Sequence, residues 1–206
     1  MKLYRIPLGM YATNCYIVAD EASGEALIID PGSEADKVED LLTKNQLTPI
    51  KVLLTHGHHD HTGAVQAIID KYHIPLAISA ADKPMLTDPQ LSLGSYMGGA
   101  AAISAVPELL QEGDQVACGS LSFKVLATPG HTEGGICFYG EGIVIAGDTL
   151  FQGSIGRTDF PGGSFEVLEK SIQDKLYTLP EDTVVYPGHG PETTIRQEKL
   201  SNPFVR

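Results

Sequence analysis

The apolar run Ile50-Lys51-Val52-Leu53-Leu54 leads directly into Thr55-His56-Gly57-His58-His59-Asp60-His61. A strand-forming segment therefore ends on four metal-ligand-type side chains: His56, His58, Asp60 and His61. An α-helix turns by about 100° per residue, which would put His56 and His58 on nearly opposite sides. In an extended segment they project the same way. Asp60 and His61 fall where a helical pattern (residues 63–69) begins, so they can turn toward a second point. The competing interpretation makes Asp60 a helix N-cap and the histidines polar turn residues. The rest of the chain argues against it.

Of the seven histidines, six lie in Gly-flanked turns, four of them in this stretch. The others are His131 in Thr-Pro-Gly-His and His189 in Tyr-Pro-Gly-His. Asp148 in Ala-Gly-Asp-Thr has the same setting. Each follows a β-type run, at residues 121–126, 143–145 and 183–186. Strands that each release a ligand as the chain leaves them gather those ligands at one edge of a sheet.

The pattern elsewhere suggests an opening antiparallel sheet (residues 3–8, 15–19 and 26–29). A helix over 33–44 follows, with Ser33 as its N-cap, then a strand at 50–54, a helix at 63–72 and a short strand at 76–78. Residues 82–113 are irregular, with some helix. Strands then lead to a helix over 165–177, a strand at 183–186 and a short helix from about 193. A β-rich stretch and a helix, repeated, predict an α/β protein with two sheets face to face and helices outside, a four-layer sandwich.

With 206 residues, a single domain is expected. No apolar run reaches the roughly 18 residues of a membrane span, and the first residues do not begin a signal peptide, so the expectation is a cytoplasmic protein with no membrane partner. The net charge of −12 disfavours a nucleic-acid partner, which would need clustered Lys and Arg. Cys15, Cys118 and Cys137 are odd in number and lack CxxC spacing, which fits reduced core residues. The oligomeric state is left open.

The His-x-His-x-Asp-His pattern of residues 56–61, followed by His131, Asp148 and His189, resembles the metallo-β-lactamase-fold hydrolases. Residues 128–132 (Thr-Pro-Gly-His-Thr), 147–151 (Gly-Asp-Thr-Leu-Phe) and 153–157 (Gly-Ser-Ile-Gly-Arg) are most similar to the glyoxalase II group. The resemblance implies the αββα fold of that superfamily. It also implies one metal held by His56, His58 and His131, a second by Asp60, His61 and His189, and Asp148 bridging them. A catalytic zinc commonly takes about three protein ligands and keeps a position open. Seven N/O donors suit two divalent ions, with zinc the first choice and iron or manganese open. Such a pair lowers the pKa of a shared water toward about 7. The implied reaction is hydrolysis of a small-molecule thioester, with Asp60 orienting the nucleophile and carrying a proton. The helical C-terminal region through which glyoxalase II binds glutathione has no counterpart in the 17 residues after His189, so the short single-domain type is expected.

Arg157 matches a basic position that the family uses near substrate; the alternative is a salt bridge to Asp159. His59 projects away from His56 and His58, which suggests an outer or solvent role, and His73 reads as an ordinary helix end. Residues 93–103, within the longer span 91–107, could form a flap touching substrate through Tyr96 and Met97, or a packed surface loop. Two rival activities resemble the same group: iron-dependent persulfide dioxygenation, whose Gly-Arg-Thr-Asp-Phe stretch recurs at 156–160, and lactone or other ester hydrolysis. A closed, non-catalytic metal site would not need seven ligands.

Overall fold

A computed structural model describes residues 1–98 and 102–205. Two six-stranded sheets carry the chain. The first runs β1 (Lys2–Leu8), β2 (Thr13–Ala19), β3 (Glu25–Ile29), β4 (Thr48–Leu53), β5 (Leu76–Ser79) and β6 (Glu108–Leu110), in that spatial order. Its first three strands are antiparallel, as expected, and the next are parallel because helices connect them. The second sheet is built from β7 (Gln115–Cys118), β8 (Leu121–Ala127), β9 (Ile136–Gly140), β10 (Ile143–Gly147), β13 (Val184–Pro187) and β14 (Thr193–Thr194). Their order across the sheet is β14-β13-β10-β9-β8-β7. A hairpin of β11 (Leu150–Phe151) and β12 (Ser154–Ile155) stands apart.

Period-two alternation sorts the strand residues into layers. Along β2, Cys15, Ile17 and Ala19 face one side while Tyr16 and Val18 face the other; Ala26 and Ile28 oppose Leu27 and Ile29 in β3. Tyr16, Val18, Leu27 and Ile29 meet Phe123, Val125, Phe138 and Ile145 from the second sheet, so this cluster lies between the sheets. The opposite face of the first sheet is covered by Val38 and Leu42 of α1 (Ala35–Lys44) and by Val65, Ile68 and Ile69 of α3 (Val65–Tyr72). Leu168 of α5 (Phe165–Ser171), Ile172 and Leu176 of the π-helical turn after it, and Ile195 of α6 (Ile195–Ser201) cover Cys137, Val144 and Ala146 of the second sheet. Three apolar seams separate four layers, so the protein has the α/β, αββα architecture of the metallo-β-lactamase fold. All three cysteines are free and buried.

Several boundaries differ from the sequence pattern. Ser33 is not the cap of α1: the helix starts at Ala35 and Glu34 takes the cap position in a left-handed conformation. The Glu34 carboxylate instead accepts from Gly9 N (2.8 Å) and pairs with Lys37. The helix expected over 63–72 is present as α3, starting two residues later, and a separate short helix, α2 (His59–Thr62), precedes it. His73 ends α3 as its left-handed C-cap. The helix expected over 165–177 passes into a π-helical turn at Ile172. Within 82–113 the chain forms a 3₁₀ turn (Lys83–Leu86), α4 (Gly94–Met97) and β6. Of the two readings of residues 93–103, flap or packed loop, the described part has both ends packed: Leu93 and Ile103 are buried and Ser92 O accepts from His59 N, while Tyr96 between them is exposed. Gly99, Ala100 and Ala101, which belong to that expectation, lie outside the described residues.

The inter-sheet seam holds the two halves of the site in register. Replacing Phe138, which is fully buried there, by Ala should cost about 3–5 kcal/mol through lost contact and a residual cavity. Urea unfolding of the metal-loaded protein should show this as a lower midpoint with little change in slope.

Candidate metal centre

Each functional side chain sits where a strand ends. β4 delivers Thr55 to His58, and α2 turns Asp60 and His61 back toward the same point. His131 follows β8, Asp148 follows β10 and His189 follows β13. These chain exits lie together at one end of the two sheets, and their side chains converge. Donor atoms of His56, His58 and His131 form one group within 4.8 Å of one another, and those of Asp60, His61 and His189 form another; a third joins His56, His61 and Asp148. Asp148 stands between them: Oδ1 is 3.4 Å from His61 Nε2, while Oδ2 is 3.6 Å from His131 Nε2 and 3.5 Å from His189 Nε2. The structure thus brings together all seven residues singled out in the sequence. His59 is outside these groupings. Asp60 caps no helix; its Oδ2 accepts from Thr13 Oγ1 (3.0 Å) and lies 3.2 Å from His189 Nε2.

Hydrogen bonds fix which nitrogen of each ring is free. Asp30 Oδ2 accepts from Thr55 Oγ1 (2.6 Å), so that hydroxyl is left to accept from His56 Nδ1 (3.1 Å). His61 Nδ1 donates to Asp30 Oδ2 (3.0 Å), His131 Nδ1 to the Arg157 carbonyl (2.6 Å) and His189 Nδ1 to the Tyr11 carbonyl (3.1 Å). In all four rings the proton is held at Nδ1 and the Nε2 lone pair faces the centre, the usual arrangement of a metal-binding imidazole. His58 turns the other way: its Nδ1 lies 3.0 Å from His131 Nε2.

The donor set fits metal ions. Nε2 of His56 and His61 and Oδ1 of Asp148 are buried without a hydrogen-bond partner, a costly condition for polar atoms unless a ligand engages them. Burial, then the neighbouring imidazoles, holds His56 and His58 neutral, with His58 pushed down to about 3. Burial works against a charge on His61 and His189 too, but nearby carboxylates outweigh it and raise both. His61 faces Asp60, Asp148 and Asp30; His189 faces Asp60 and Asp148. The same imidazoles overcome burial to keep Asp60 and Asp148 below the usual carboxylate range. Carboxylates and open imidazole lone pairs in a buried site match a hard or borderline divalent cation.

Two aspartates that organise this site escaped the sequence analysis. Asp30, beyond the end of β3, is almost fully buried and accepts from Thr55 N (2.8 Å) besides Thr55 Oγ1 and His61. Asp82 is wholly buried and ties the turn between His56 and His58 to the loop after His131. It accepts from Gly57 N (3.1 Å), Thr132 Oγ1 (2.7 Å) and Gly134 N (2.7 Å). Neither stands in a recognisable motif; only the position of Asp30 directly after an apolar strand offered a signal. Gly188, next to His189, is required by space: a Cβ there would collide with Asp148 Oδ1 and lie 2.8 Å from His61 Cε1.

Arg157 reaches the mouth of the site without pointing free. Its Nε and Nη2 pair with Asp159 Oδ1 and Oδ2 (2.9 and 2.7 Å), and its guanidinium lies over the Phe160 ring at 4.1 Å. The anticipated salt bridge is therefore present.

Residues 8–189 match the metallo-beta-lactamase superfamily. The chain belongs to that family. Over its whole length it is 40% identical to the probable metallo-hydrolase YqgX of Bacillus subtilis and 38% identical to the hydroxyacylglutathione hydrolase GloC of Haemophilus influenzae, covering 98% of each. Among solved structures it superposes on the BLEG-1 B3 metallo-beta-lactamase with a TM-score of 0.93 (42% identity, 99% of both chains covered). It superposes on TTHA1623, solved in a di-iron-bound form, with a TM-score of 0.89 (35% identity, 98% and 100% covered). Family and site together make this protein a metallo-hydrolase dependent on divalent metal. Among the described residues no helix is long and apolar enough to cross a membrane.

Asp30→Asn should lower metal affinity by about 10–100-fold, because the neutral amide weakens the hold on His61 and Thr55; chelator competition measures this, with circular dichroism confirming the fold. Gly188→Ala should also release metal on dialysis, by displacing Asp148 and His61. Unchanged affinity in either variant would contradict the role given to that residue.

Proposed function

We propose that the protein is a binuclear metal-dependent hydrolase of thioesters. The observation carrying this reading is that the donors gather in two three-residue groups with Asp148 reaching both, His131 of one and His61 and His189 of the other. Seven donors exceed what one ion takes while keeping an open position. The di-iron form of TTHA1623 supports two ions, and the name of GloC supports thioester chemistry. Zinc is the first candidate, with iron or manganese compatible with the same donors.

When bound, two divalent cations supply Lewis acidity, lowering the pKa of water from about 15.7 toward about 7 and polarising an acyl carbonyl. His56, His58 and His131 would hold one cation, Asp60, His61 and His189 the other, and Asp148 both. Thr13 fixes Asp60 Oδ2 by donating to it, so this oxygen accepts a proton from an attacking water in a constant direction. The His61 and His189 imidazoles keep Asp60 ionised, which suits its place as a metal ligand. The buried walls around His56, His58 and His61 exclude bulk water from the acyl group, strengthening each of these interactions.

Elemental analysis after mild purification should find two ions per chain, and Asp60→Ala should lower thioester turnover by about 10²-fold or more. One tightly held ion with no activation by added metal would overturn the binuclear assignment. Faster cleavage of a lactone or a β-lactam than of any thioester would overturn the substrate class.

A further inference from the structure

Two adjoining cavities lead to the metal centre. The inner one, about 290 Å³, is lined by five of the ligand side chains together with Phe151. The outer one, about 580 Å³, shares Tyr11, Leu93, Met97, Arg157 and Phe160 with it. Phe151 belongs to β11, and its ring meets the His189 ring edge-on, with 6.2 Å between centroids. The chain leaving β12 then passes His131. Gly156 packs so closely that a Cβ there would collide with the Asp148 carbonyl oxygen and lie 3.2 Å from His131 Cγ. The next carbonyl, of Arg157, accepts from His131 Nδ1 (2.6 Å). The β11–β12 hairpin thus carries one wall of the inner cavity and leads into the group that orients a ligand ring.

Such a hairpin cannot hold that position alone. Its ladder has only the pairs Leu150–Ile155 and Phe151–Ser154 and joins neither six-stranded sheet, and an isolated two-stranded ribbon is marginal in water. Leu150 anchors its base in the apolar seam with Leu168 and Ile195, but its tip, Gln152 and Gly153, is exposed. The C-terminal helix grips that tip. Glu198 of α6 has no solvent exposure, and its Oε2 accepts from Gly153 N (2.9 Å) and Asn202 Nδ2 (2.8 Å). Asn202 Nδ2 also donates to the Ser154 carbonyl (3.0 Å). On the other side, Glu198 Oε1 accepts from Thr193 Oγ1 of β14 (2.6 Å).

A buried carboxylate with three neutral donors adds little stability that an apolar group of the same shape would not supply. What an apolar side chain cannot do is accept hydrogen bonds at a fixed point. We infer that Glu198, with Asn202, is a positioning residue of the metallo-hydrolase site: it fixes the β11–β12 hairpin from behind, and through it the Phe151 wall and the carbonyl that orients His131. This role is independent of which ester the site cleaves.

Zinc-loaded wild-type protein and the variants Glu198→Gln, Glu198→Leu, Asn202→Ala and Thr193→Val are compared by three measurements: amide hydrogen exchange over residues 150–157, the Nδ1–H proton resonances of His131 and His61, and the urea midpoint. Glu198→Leu and Asn202→Ala should speed exchange in the hairpin on the order of tenfold and broaden the His131 resonance, leaving that of His61, which Asp30 holds, unchanged. Glu198→Gln should retain wild-type values of both, because its amide oxygen can take the Gly153 and Asn202 donors while its NH₂ group donates to Thr193 Oγ1. Thr193→Val removes only the donor outside the hairpin, so it should lower the midpoint and leave exchange and the His131 resonance as they are in the wild type. Wild-type exchange and His131 signal in Glu198→Leu or Asn202→Ala would overturn the inference, as would disturbed values in Glu198→Gln or an equal disturbance in Thr193→Val; Glu198 would then serve only to pack the C-terminal helix. If Glu198→Leu does not fold, the contrast between Asn202→Ala and Thr193→Val decides.

Discussion

The carboxylate of Asp30 is the interaction on which the site depends. It takes three hydrogen bonds, two from Thr55 and one from His61, and has almost no contact with solvent. Those bonds settle the tautomers of His56 and His61 and aim both Nε2 atoms inward. Thr55 also accepts from Ile136 N of the second sheet (2.8 Å), so the residue that orients the imidazoles stitches the two sheets together. Asn14 and Tyr16 add to that seam by donating to the Pro187 carbonyl, beside the turn that presents His189. The backbone at Asp30 is left-handed, a conformation Asp tolerates better than most residues. Folding and metal-site geometry thus share the same few hydrogen bonds.

The charge balance explains why such a cluster calls for cations. Asp30, Asp60 and Asp148 concentrate negative charge in a poorly solvated volume, while burial keeps His56 and His58 neutral. Without metal, protons are drawn to His61 and His189, the two rings that face carboxylates. Metal binding must release them, so affinity weakens as pH falls and proton competition grows. The two halves differ in access as well: His56 and His58 are nearly sealed, whereas the His189 side chain keeps 29% exposure. Among the ligands it is thus His189 that lies most open to solvent, while His61 beside it is sealed.

The sequence made the ligand loops legible because each couples two strong local signals, an apolar run and a Gly-flanked His or Asp. The layers were legible from alternation in β2 and β3. Asp30 and Asp82 were not: their importance comes from hydrogen bonds to Thr55, Gly57 and Thr132, which chain folding alone brings near. The start of α1 was misplaced for a related reason. Ser33 has the better capping chemistry, but Glu34 is engaged by Gly9 and Lys37, and tertiary contact outweighed local preference. The π-helical turn after α5 likewise reflects packing of Ile172 and Leu176 against the second sheet.

Chemistry and specificity occupy different parts of this fold. The metal donors leave strand ends that the two sheets hold in place. The walls of the outer cavity come from the segment after β1 (Tyr11), the connection before and within α4 (Leu91, Leu93, Tyr96, Met97) and the loop after β12 (Arg157, Phe160, Pro161). Such segments can vary without disturbing the sheets. Relatives of nearly equal identity are accordingly named a hydroxyacylglutathione hydrolase and a B3 metallo-beta-lactamase. The side chains that differ most freely in such a fold are those of the loops around the outer cavity.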